Sequence, residues 1–106
     1  MRLDILQLTE RTDYRFEWWS WAKDEFNIND YELVYVEEIE NTDEPITDTL
    51  EKMFTKFNIN RPEDFHGHSL SVSDVIRVVE ENKEDKFWYC DAHGWVDITD
   101  YCVGAL

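Results

Sequence analysis

Positive charge is what this chain has least of. It carries 10 lysines and arginines against 25 aspartates and glutamates, a formal net charge of −15 over 106 residues, and between Lys23 and Lys52 it has no base at all. Proteins that grip DNA or RNA gather Lys and Arg to displace counterions, so this composition argues against direct nucleic-acid binding. Lys83 and Lys86 are the only bases close together outside a helix, and Glu84 and Asp85 separate them. Cysteine is scarce as well: Cys90 and Cys102 alone provide no disulfide framework, and a reducing compartment leaves them as free thiols. No apolar run is long enough to span a bilayer. The N-terminus alternates Arg2, Asp4 and Gln7 with apolar residues instead of forming a signal peptide, so a cytoplasmic protein is expected. Without internal repeats or low-complexity tracts, residues 1–106 read as a single domain.

What the chain does have is apolar and aromatic weight. Hydrophobic residues make up 42%, with five Trp, five Tyr and six Phe, enough for one core without metal or disulfide. The stretch from Phe65 to Trp95 carries the strongest pattern, because β-branched and aromatic residues dominate it. Its breaks fall at Glu80 to Lys86 and at His93-Gly94, and it predicts three consecutive antiparallel strands. Trp88 to Asp91 and Trp95 to Ile98 flank Ala92-His93-Gly94, a short hairpin connection with its glycine at the end.

Upstream, Leu3 to Leu8 predicts a strand. From Tyr14 to Phe26 the period changes, and Trp18, Trp19, Ala22 and Phe26 share one face of a predicted first helix, with Trp18 and Trp19 sealing it against the sheet. Asn27 to Asp30 ends it. Tyr31 to Ile39 reads as a second strand, with either Leu33 and Tyr35 or Val34 and Val36 facing the core. A second helix is predicted from Ile46 to Asn58. There Ile46, Leu50, Met53, Phe54 and Phe57 form a stripe, and Asp48 and Glu51 precede Lys52 and Lys56 in the order that complements the helix dipole. The expected class is α+β, in the order strand, helix, strand, helix and three-strand antiparallel meander, with both helices on one face of a mainly antiparallel sheet.

The run Gly67-His68-Ser69-Leu70-Ser71-Val72-Ser73-Asp74-Val75, followed by Trp88-Tyr89-Cys90-Asp91 and Gly94-Trp95, resembles the YodL-like domain family, small domains common on conjugative and phage-derived elements of Gram-positive bacteria. The likeness extends to Leu3–Leu8, Asp30–Tyr35, and Met53–Asn58 before Arg61-Pro62, so it covers nearly the whole chain. It implies a fold and a genetic setting, and brings no catalytic residues with it. This chain is unusually acidic and tryptophan-rich for such a domain.

The base-free window holds eleven acids: Asp24, Glu25, Asp30, Glu32, Glu37, Glu38, Glu40, Asp43, Glu44, Asp48 and Glu51. Carboxylates two apart on a strand, such as Glu38 and Glu40, lie about 6.6 Å apart along it, of the order of the spacing between successive phosphates. A surface of this kind can occupy a basic nucleic-acid channel. The plainer reading is a solvated face that gives solubility.

Other chemistry is weakly signalled. Cys90-x-x-His93 and His66-x-His68 are of the types that zinc prefers, although a buried thiol and a turn histidine explain them as well. A Cys90 nucleophile with His93 and Asp91 lacks the neighbouring cation or helix N-terminus that such a thiol needs. Ser69, Ser71 and Ser73 serve the backbone at the start of a strand, with Asp74 accepting from loop amides. No catalytic set, metal or cofactor is expected.

The leading expectation is therefore a small acidic inhibitor from a mobile element. Its partner would be a nucleic-acid-processing defence protein, a CRISPR or restriction nuclease, whose basic channel it blocks by mimicry through Asp30, Glu32, Glu37, Glu38, Glu40, Asp43 and Glu44. Phe16 and Trp21 fall on opposite flanks of the first helix's stripe, so at least one is expected to be partly exposed, and the alternative is a non-enzymatic adaptor that binds its partner through the aromatic flank around Trp21, with an acidic face that only solubilises.

Overall fold

The structure, a computed structural model, describes residues 1–9 and 14–102. Its described elements run β1 (Arg2–Leu8), α1 (Trp19–Ala22), β2 (Tyr31–Glu38), α2 (Ile46–Ile59), β3 (Val75–Val79), β4 (Lys86–Asp91) and β5 (Gly94–Asp97), with 3-10 turns at Ile28–Asp30 and Thr99–Cys102. The five strands form one sheet in the order β2-β1-β3-β4-β5, with every neighbour antiparallel. The expected α+β class and element order hold.

The faces are set by β1 and β3, which are apolar at both parities. Leu3 and Ile5 point one way, Leu6 and Leu8 the other, and Val75 and Ile76 likewise divide. Across one face, Tyr35, Ile5, Ile76 and Trp88 stand in register. Helix α2 covers this row with Leu50, Met53 and Phe57, aided by Phe65 and Leu70. Across the other face, Leu6, Val75, Tyr89 and Val96 stand in register. Tyr14, Trp19, Ala22, Ile28, Ile98 and Cys102 cover that one. The two helices thus lie on opposite faces, where the sequence suggested one. A single layer would leave Leu6, Val75 and Tyr89 in water, and burying a side chain of this size contributes about 1.5–3 kcal/mol.

Helix α2 follows its sequence stripe closely, with Asp48 in its first turn and Lys56 in its last. The first helix is far shorter than the predicted Tyr14–Phe26. Phe16 sits at φ +68, a left-handed conformation that interrupts a right-handed helix, and Trp18 is extended. What holds this segment is tertiary: the Trp19 amide donates to Asp91 Oδ1 at 3.2 Å, and Tyr89 Oη donates to the Glu17 carbonyl at 2.6 Å. Trp19 is buried as expected, whereas Trp18 is exposed and does not seal the sheet. The hairpin between β4 and β5 turns through Ala92 and His93 into Gly94, whose φ of +136 suits only glycine.

Candidate interaction surface

Strand β2 is a sheet edge, and its register decides where the acids point. The pairing with β1 slips between Ile5 and Leu6, because Ile5 faces Tyr35 while Leu6 faces Leu33, leaving Val34 as an extra residue. Val34 and Tyr35 pack toward α2, while Leu33 and Val36 stay exposed on the opposite face, so neither predicted core pair holds intact. Glu37, opposite Leu3, falls on the α2 side and pairs with Lys56. Glu38, opposite Arg2, falls on the other side and is exposed.

The predicted acidic set therefore divides. Glu44 is bound at the start of α2, where Lys52 Nζ lies 2.7 Å from Oε2 and Thr49 Oγ1 donates to Oε1 at 2.8 Å. The Lys52 hydrogen bond holds the Glu44 carboxyl below the usual carboxylate range. Asp30 accepts from Tyr14 Oη at 2.9 Å. Glu32, opposite Gln7, borders a cleft of about 460 Å³ shared with Arg15, His66 and His68. Glu38, Glu40 and Asp43 are exposed and form no ion pair among the described residues. Glu40 lies beyond the end of β2, so the strand spacing considered for Glu38 and Glu40 does not carry to this pair.

The serine-rich motif forms a buried polar knot instead of the start of a strand. Asp74 Oδ2 accepts from the Ser71 amide at 2.8 Å and from Gln7 Nε2 at 3.1 Å, and Oδ1 lies 3.7 Å from His68 Nε2. Burial pushes the Asp74 carboxyl up to about 8, against the hydrogen bonds that lower it. Gln7 also donates to the His68 carbonyl at 2.9 Å. Ser71 Oγ donates to the Ser69 carbonyl, and Ser73 Oγ accepts from the Phe16 amide at 2.9 Å, so the hydroxyls do serve the backbone. Gly67 is required by crowding: a Cβ there would stand 2.5 Å from Gln7 Oε1. Sequence reasoning passed over Gln7, although a polar residue at the parity of Leu3 and Ile5 is the signal of a buried amide.

The cysteine and histidine candidates stay apart in role. Cys90 is buried and its thiol is pushed up to about 12 by burial, which keeps it from being a thiolate near neutral pH. His93 is exposed at the hairpin, its ring 6.1 Å from that of Trp18. His68 belongs to the Asp74 knot, and His66 is exposed. Among the described residues no three His, Cys, Asp or Glu side chains converge where a metal ion could sit.

Aromatic exposure concentrates on the α1 side. Trp21 is 74% exposed, and Phe16, Trp18 and Tyr101 are each more than half exposed. Trp19 anchors the group, its ring packed 5.0 Å from Tyr89, 5.2 Å from Phe26 and 4.8 Å from Tyr101. No described helix is long and apolar enough to cross a membrane. No curated protein and no solved structure matches the chain. The family model of the YodL-like domain, however, matches residues 2–101, from the first residue of β1 to the turn that follows β5, and so spans the whole sheet and the serine-rich knot; the chain belongs to the YodL-like domain family.

Proposed function

We propose that this domain is an inhibitory protein ligand that binds a nucleic-acid-processing defence protein, of the CRISPR or restriction nuclease kind, and occupies its basic channel in the cytoplasm of a bacterial host. The observation that carries the reading is the exposure of Glu38, Glu40 and Asp43 without ion partners among the described residues at one end of the edge strand, while nearby Lys52 and Lys56 are taken up by Glu44 and Glu37. Unpaired surface carboxylates attract a basic partner over a distance of about 8 Å at physiological ionic strength. The mobile-element setting implied by the resemblance supplies a reason for such an activity. Glu37 and Glu44, bound to α2, have the structural role of tying the edge strand and its following loop to the helix, so the mimicking set contracts to Glu38, Glu40 and Asp43 at one end of the strand, with exposed Glu32 near its other end.

A second reading is a non-enzymatic adaptor bound through the aromatic flank, favoured by Trp21 at 74% exposure. The test is to capture the partner from host extract, identify it, and measure binding of the purified pair against salt and nucleic acid. Inhibition predicts that affinity falls as salt rises, that DNA or RNA competes, and that Glu38→Gln with Glu40→Gln and Asp43→Asn slows association. A complex indifferent to salt that still admits nucleic acid overturns it and leaves the adaptor.

A further inference from the structure

We propose that the cleft around Trp21 receives an arginine side chain of the partner protein. The cleft has a volume of about 450 Å³ and is lined by Tyr14, Glu17, Trp21 and Glu25. Glu17 and Glu25 stand four residues before and four after Trp21, and both line the same cleft as the exposed indole. Its frame is fixed from beneath. The Glu17 carbonyl accepts from Tyr89 Oη at 2.6 Å, the Glu25 amide donates to the Ala22 carbonyl at 2.9 Å, and Trp19 is buried two residues from Trp21. Tyr14, the buried member of the lining, donates to Asp30 Oδ2 at 2.9 Å, which fixes its ring. Among the described residues that line the cleft there is no lysine or arginine.

An indole face attracts a cation through its quadrupole, and carboxylates at its margins accept N–H donors. A planar guanidinium does both at once, stacking through its face and donating through its edge, whereas an ammonium is a compact and strongly hydrated point charge. Charge complementarity thus selects a basic protein segment, and the pairing of flat ring with flanking carboxylates selects arginine. The assignment rests on the reading that the partner surface is basic, but it concerns a site apart from Glu38, Glu40 and Asp43.

The experiment titrates isotope-labelled protein with capped tetra-arginine, tetra-lysine and a neutral Gly-Ser peptide, following the Trp21 indole N–H resonance identified with Trp21→Phe. Saturable movement of that resonance by the arginine peptide is expected, with a weaker response to lysine and none to the neutral peptide. Trp21→Ala, and Glu17→Gln with Glu25→Gln, should each weaken binding by about two- to five-fold, as the loss of exposed cation–aromatic or charge-assisted contacts predicts. All of these positions are exposed, and an unchanged backbone spectrum verifies that each variant is folded. The triple variant Glu38→Gln, Glu40→Gln and Asp43→Asn should leave the titration intact. Shifts confined to those three acids, unsaturable drift, equal response to lysine, no response, or full binding by Trp21→Ala would each overturn the arginine site. Each of these outcomes leaves the test of channel blocking to be decided separately by salt and nucleic-acid competition.

Discussion

Gln7 and Asp74, 67 positions apart in sequence, meet in the interior, the amide of the first donating to the carboxylate of the second at 3.1 Å. The bond ties β1 to the loop before β3 at a place where polar side chains enter the core. Because an unfolded Asp carboxyl ionises near 3.8 and the folded Asp74 near 8, the folded chain holds a proton over that interval which the unfolded chain has released. The contribution of Asp74 to unfolding free energy therefore falls as pH rises from about 4 to about 8, and levels off above. Asp74→Asn keeps the acceptor for Ser71 and Gln7 and removes the titration. The stability difference between wild type and this variant, measured by denaturant unfolding across pH, should move in favour of the variant as pH rises; a difference that is flat with pH contradicts the buried neutral carboxyl.

The two described glycines predict losses of different origin. Gly67→Ala places a methyl against Gln7 Oε1 and the Phe65 ring and must displace the amide from its partners, at a cost of about 1–3 kcal/mol. Gly94→Ala meets nothing within 4 Å but forces a side chain onto φ +136, at a cost of about 1–3 kcal/mol of backbone strain. Combining Gly67→Ala with Gln7→Ala should recover part of the first loss and none of the second, which urea titrations of the single and double variants would reveal.

Packing under the sheet sets a third expectation. Leu50 and Phe57 are fully buried on α2, while Phe54 is only partly so. Leu50→Ala should cost about 2–5 kcal/mol and Phe57→Ala about 3–5 kcal/mol, with Phe54→Ala below either. Chemical denaturation that ranks Phe54 above Phe57 would mean that α2 is rotated from the orientation described.

Thiol chemistry gives a fourth. Cys90 and Cys102 are both buried with thiols pushed up to about 12, so alkylation of the native protein by iodoacetamide should be slow and become rapid only in denaturant. Mass spectrometry over time distinguishes the two states. A chelator should leave Tm unchanged, and stoichiometric zinc in the purified protein would contradict that expectation.

How far these features could be read from the sequence depended on whether the relevant forces were local. The span of α2 was legible because its stripe, its acids and its lysines all agree within one segment. The β4–β5 hairpin was legible for the same reason, with aromatic runs on both sides of His93-Gly94. The first helix was overextended because Trp18, Trp19, Ala22 and Phe26 have helical spacing, while what stops the helix, Phe16 at φ +68 with its amide on Ser73 Oγ, involves a residue 57 positions away. The division of the acids was hidden too, since the slip at Ile5/Leu6 that turns Glu37 inward and Glu38 outward is a property of strand pairing. Exposure of at least one of Phe16 and Trp21 was legible from their places flanking the apolar stripe, and both are exposed, but the presence of Glu17 and Glu25 in the cleft with Trp21 was not, because as acids in an acidic chain they carry no mark of their own.

The sheet order β2-β1-β3-β4-β5 places the first strand of the chain between two strands that come after it. During synthesis β1 can pair with β2 once Glu38 has been made, yet its other edge stays open until Val79 is in place. Between the making of Glu38 and that of Val79, then, a strand paired on both sides in the finished fold waits with one edge open. Contacts of such long sequence separation close slowly. The dense negative charge between Asp24 and Glu51 is made before that interval closes, and its self-repulsion can keep nascent copies from pairing edge to edge before β3 arrives.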